Sequence, residues 1–99
     1  MRESDFQTDL IKEIRQRFPG CIVVKNDPNY LQGWPDLTVY IGQYFFLLEC
    51  KISAHAPHQP NQDYYVNATN ANGGFARFIY PENKEEVLNE IQQTFGSLS

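Results

Sequence analysis

The dipeptide Gly42-Gln43 limits what this chain can fold into more than any other feature. Two β-prone runs flank it, Asp36 to Ile41 and Tyr44 to Lys51. Glycine at the first central position of a two-residue loop is the signature of a type II′ hairpin. Such a turn allows one register: Ile41 faces Tyr44 and, counting outward, Asp36 faces Glu49. Leu37, Val39 and Ile41 then share a face with Phe46, Leu48 and Cys50, an uninterrupted apolar set. Burial of that face pins the register, because a slip of one residue would bury the acids. Asp36, Glu49 and Lys51 project together from the opposite face, since side chains alternate along a strand.

The remaining segments read as helices and strands around this hairpin. Phe6, Leu10, Ile11, Ile14 and Phe18 recur at helical spacing, which predicts a helix over Ser4 to Phe18. Ser4 and Gln7 form a capping-box pattern, and Pro19-Gly20 stops the helix. Cys21 to Lys25 is a short β-prone run, Asn26 to Pro35 is a loop, and Ser53 to Pro60 is another. Asn61 to Asn72 fits a helix closed by Gly73-Gly74, and Phe75 to Tyr80 a last strand. Asn83, with Glu86 three positions on, caps a final helix carrying Val87, Leu88, Ile91 and Phe95. The order αβββαβα is that of a mixed α/β fold. The 99 residues fit a single domain, 1–99, because one core usually serves about 50 to 200 residues.

The net charge of −4 argues against a basic coat for nucleic acid but leaves room for a local basic site. With Glu3, Asp36 and Glu49 engaged, Arg2, Lys25, Lys51 and Arg77 can form a modest positive rim. Such a rim touches few phosphates and binds weakly and salt-dependently. No apolar run approaches the roughly 18 residues of a membrane span, and no signal-peptide pattern opens the chain, so a soluble protein retained where it is made is expected. Cys21 and Cys50 lie 29 positions apart without a CxxC, which fits a reducing compartment.

Two carboxylates in direct opposition, with Cβ atoms roughly 4.5–5.5 Å apart, repel unless something neutralises them. A divalent cation with oxygen preference does so. Mg²⁺ takes one or two carboxylates, keeps waters and leaves room for a phosphate. A lysine on the same face suits negative charge developing on phosphorus, and the set describes metal-assisted phosphodiester hydrolysis. Taken singly, Asp36 is a loop end and Glu49 with Lys51 a solvated pair. Their convergence through one register is what favours a site. Glu3 points along the Phe6, Leu10 and Ile14 stripe and is the preferred third acid, with Asp5, Asp9 and Glu13 as competitors. Cys50, His55 and His58 form C-x₄-H-x₂-H, which lacks a fourth zinc ligand at any standard spacing. His55 and His58 fit better in an exposed loop beside the cleft, within reach of phosphate. Tyr64, Tyr65 and Trp34 are ordinary core candidates, with Trp34 kept as a candidate DNA contact at the edge of the site.

Pro35-Asp36, a 12-residue gap, and Glu49-Cys50-Lys51 together resemble the signature of the PD-(D/E)XK nuclease superfamily. The wider pattern is similar to small phage-type members of its virus-type replication-repair branch. It includes a first helix opening with Glu3, then Gly33-Trp-Pro-Asp-Leu37, then Gln59-Pro-Asn-Gln62 on a following helix. The resemblance spans essentially the whole chain and implies a restriction-endonuclease-like αβββαβα core. It implies that Asp36, Glu49 and the Cys50 carbonyl bind Mg²⁺ or Mn²⁺, with Glu3 joining directly or through water. Lys51 would orient or activate the attacking water, and Gln62 would support the site or touch the phosphate. Lys25, Trp34, His55 and His58 are expected DNA contacts. Cys50 departs from the usual aliphatic residue at its position, without loss of the triad. The implied activity is a DNA endonuclease of phage or prophage origin, in a bacterial cytoplasm. It would be a homodimer acting on branched or junction DNA, such as a Holliday junction, in replication, recombination or repair. The alternative is a silent nuclease-fold module that binds DNA or a protein partner.

Overall fold

The structure is a computed structural model that describes residues 1–95, apart from the side chain of Phe95. The expected contribution of Phe95 to the last helix therefore lies outside the described residues. Three helices and four strands run in the order α1 (Glu3–Arg17), β1 (Ile22–Lys25), β2 (Leu37–Ile41), β3 (Tyr44–Cys50), α2 (Gln62–Ala71), β4 (Ala76–Ile79) and α3 (Lys84–Phe95). The strands form one mixed sheet, β1-β2-β3-β4, antiparallel except for the parallel β3–β4 pair. The predicted α/β class and element order are those observed.

The hairpin has the expected register throughout, from Ile41 opposite Tyr44 to Leu37 opposite Leu48. Gly42 has φ +59°, whereas Gln43 stays out of the left-handed region. That combination is the type II′ geometry, whose twist matches that of the strands. The apolar face carries Leu37, Val39, Phe46, Leu48 and Cys50, all fully buried against Phe6, Leu10 and Ile14 of α1 and Val87, Leu88 and Ile91 of α3. On the other face α2 covers only part of the sheet, packing Val66 onto Leu47 and Ala76. Phe46 to Cys50 are consequently buried on both faces, as parallel pairing beneath a crossover helix demands. Ile22, Val24 and Tyr40 lie where α2 does not reach, and Phe45 borders a cavity beside α2; all four remain exposed.

Two helix starts differ from expectation. The first helix begins at Glu3 rather than behind a Ser4 cap, and Asp5, not Gln7, turns back to accept the Arg2 backbone N–H at 3.2 Å. An acid two positions nearer the start also sits better in the positive end of the helix dipole. Asn83 precedes α3, but its side chain accepts the Tyr80 N–H and donates to the Phe78 carbonyl. Its side chain ties down the exit from β4, while from the N-cap position its carbonyl accepts the first helical N–H, that of Val87. Among the described residues no helix is long and apolar enough to cross a membrane. Cys21 and Cys50 are both free.

Candidate active site

The site is built at the end of the hairpin farthest from its turn. Asp36 immediately precedes β2, and its carboxylate accepts the Cys50 backbone N–H at 2.9 Å. That bond locks Asp36 onto the end of β3, beside Glu49. The carboxyl groups of Asp36 and Glu49 interact directly, each perturbing the other. Burial, followed by the Asp36 charge, pushes Glu49 up to about 8. Burial also raises Asp36, partly offset by the Cys50 N–H and by Lys51. Proton sharing between close carboxyls is the expected response to their repulsion.

Glu49 and Lys51 are only 3% and 5% exposed, deeper than a solvated hairpin face predicts. The start of α2 buries them. Gln62 donates from Nε2 to Glu49 Oε2 at 2.8 Å and accepts from Lys51 Nζ at 2.7 Å through Oε1. The Gln59 backbone N–H also donates to that Oε1, so a flipped amide would set its NH₂ group against two donors. Lys51 Nζ donates further to the Pro57 carbonyl at 3.1 Å and lies 3.9 Å from Glu49 Oε2. One glutamine thereby fixes the acid and the base together.

Glycine at position 33 makes this approach sterically allowed. Its φ is +87°, and an added Cβ would stand 2.6 Å from Asn61 Cβ and 2.7 Å from the Pro60 carbonyl oxygen. The loop before β2 thus lies directly on the loop before α2, which brings Asp36 and Gln62 to one place. Asn61 reinforces the bend as the sole non-glycine residue at positive φ among the described residues.

Among the described residues, Glu49 Oε1 is the one buried side-chain oxygen or nitrogen with no hydrogen-bond partner. An orphaned carboxylate oxygen beside a second carboxylate fits a hard cation, because oxygen ligands and retained waters are what Mg²⁺ takes. Among the described residues no group of three or more His, Cys, Asp or Glu side chains closes into a metal cage. Asp36 and Glu49 are the carboxylates that meet there, with Glu3 at the margin, and the Cys50 carbonyl expected to join them belongs to the same end of β3.

The other candidates fall at graded distances from this centre. Glu3 is exposed in the first turn of α1, yet partial burial and the Asp36 charge raise its pKa and Lys51 opposes them, so it borders the site. Its rivals Asp5 and Glu13 are engaged elsewhere, with Arg2 and Lys84. Lys25 ends β1, exposed, and its charge reaches Asp36. His58 donates to Asp63 at 2.8 Å and stacks on Phe78 at 4.2 Å, while His55 is exposed in the preceding loop. Cys50 faces the core, where burial and then the neighbouring acids raise its thiol, so the C-x₄-H-x₂-H spacing does not assemble. Sequence reasoning missed the Pro57 carbonyl and the Gln59 N–H. The prolines at 57 and 60 were the available signal, since they stiffen the loop that carries both.

Compared with known proteins, the chain matches no protein-family profile and no curated sequence.

Proposed function

We propose that this protein is a metal-dependent DNA endonuclease of the PD-(D/E)XK type, with a restriction-endonuclease-like core. The observation that carries the reading is the donor-less Glu49 Oε1, buried beside Asp36 and within a lattice that also holds Lys51. A module that only bound DNA or protein would gain stability by replacing such repelling acids. Mg²⁺ or Mn²⁺ held by Asp36 and Glu49 supplies a Lewis acid and a more acidic water. Lys51, its ammonium positioned by Gln62 and Pro57, faces the negative charge that builds on phosphorus. Gln62 keeps Glu49 oriented, and Glu3 adds an acid at the margin. Duplex or branched DNA is the substrate in this reading, within replication, recombination or repair, and a second copy of the chain enlarges a small footprint.

Cleavage of supercoiled plasmid and of a four-way junction in Mg²⁺ or Mn²⁺, beside Lys51→Met, tests it. Metal-dependent cutting should fall by at least about 100-fold in the variant, the scale of losing one transition-state charge partner. Undiminished cutting in a folded variant would sink the assignment of the site. No cutting by the native protein with any metal would turn the reading to the binding module.

A further inference from the structure

Trp34, two residues before Asp36, is a shared wall between two cavities. The first, about 340 Å³, lies between the hairpin and α2, walled by Trp34, Phe45, Tyr64 and Tyr65 over Leu47. The second, about 330 Å³, opens on the other side among Asn26, Asp27, Tyr30 and Leu31. Trp34 meets Tyr65 edge-on with centroids 5.3 Å apart, and Tyr65 meets Tyr64 in the same way at 5.1 Å. Each cavity has a strongly exposed aromatic on its rim, Tyr64 at 65% and Tyr30 at 88%. Tyr65 follows Gln62 by one helical turn, so both cavities hang on the loop and helix that hold the site.

We propose that these cavities take unpaired nucleobases on either side of the bond addressed at Asp36 and Glu49, making single-stranded or branch-point DNA the substrate. The inference rests on the nuclease reading and narrows its substrate class. The α2-side cavity has no charged lining residue, so it does not suit a phosphate. It has aromatic faces together with Thr69 and Asn72, which suit the π-face and the polar edge of a base. On the other side Asp27 repels phosphate but can accept from an exocyclic amino group, whereas the Asn26 amide in the same wall is spent on the Pro35 carbonyl and Thr38 Oγ1. Bases inside a continuous duplex have both faces covered by their neighbours, so only unpaired ones can enter.

Trp34 is the chain's sole tryptophan, so its fluorescence reports the cavities directly. The native protein is titrated in Ca²⁺ with a single-stranded oligonucleotide, a 5′-flap substrate and a blunt duplex. The first two should quench Trp34 saturably and the duplex should not. Tyr64→Ala and Tyr30→Ala remove exposed rings, so the fold persists; each should weaken single-strand binding at least about fivefold, the lower range for loss of one stacked base. Equal quenching by the blunt duplex overturns the inference, as does unchanged affinity in both variants at an unchanged Tm. Quenching by an aromatic-rich peptide in place of DNA also overturns it. Cleavage in Mg²⁺ is read in parallel. Cutting without selective quenching leaves the nuclease standing and removes the base slots, whereas selective quenching without cutting keeps the slots and removes the nuclease.

Discussion

On the proposed reading, a proton and a divalent cation compete for the gap beside Glu49 Oε1. The folded chain holds Glu49 at about 8 against an ordinary value of 4.5, so it retains a proton that the unfolded chain releases across that interval. Metal-free stability should therefore fall as pH rises through this window and level off above about 8. Glu49→Gln keeps the acceptor for Gln62 and offers N–H to Asp36, so it mimics the neutral acid. We expect its Tm to exceed that of the native protein near pH 8, by roughly 4–8 °C for each kcal/mol relieved, and the two to converge near pH 5. Scanning calorimetry at both pH values in the presence of chelator checks this; a lower Tm for the variant at pH 8 would refute it. The same substitution should abolish cutting, since stability and chemistry make opposite demands on this residue.

Among the elements, the hairpin was legible because a two-residue turn and an alternating apolar face leave no freedom in register. Asp36, Glu49 and Lys51 follow from that register by counting alone. The start of α1 was less legible, because Ser4 and Asp5 compete as capping groups and only the contact with Arg2 decides between them. The burial of Glu49 could not be read locally either, since it depends on where Gln62, 13 residues further on, meets the strand. Gly33 is the hinge of that meeting. Gly33→Ala adds a clash with Asn61 and Pro60 to left-handed strain, whereas an alanine at Gly42 meets no atom within 4 Å. Urea denaturation should show Gly42→Ala losing about 1–3 kcal/mol, the strain alone, and Gly33→Ala distinctly more. Equal losses would mean that the two loops are not in contact.

At the scale of the whole molecule, the core on the α1 and α3 side is apolar and complete without any ion. Chelator should therefore stop cutting while leaving the far-ultraviolet circular dichroism unchanged, and Mg²⁺ should raise Tm more near pH 8 than near pH 5, where protons compete for the same oxygens. Loss of the spectrum on chelation would instead indicate a structural metal. The crossover from β3 through α2 to β4 has a further consequence, in the order of folding. A hairpin closes within about 1–10 μs because its contacts are local, and parallel pairing waits on a longer loop closure. A chain that has formed only β2 and β3 presents Asp36 and Glu49 without Gln62 to hold Lys51 beside them. The proposed site is therefore expected to form only after the crossover has closed, and a half-made molecule carries the acids without the lysine held beside them.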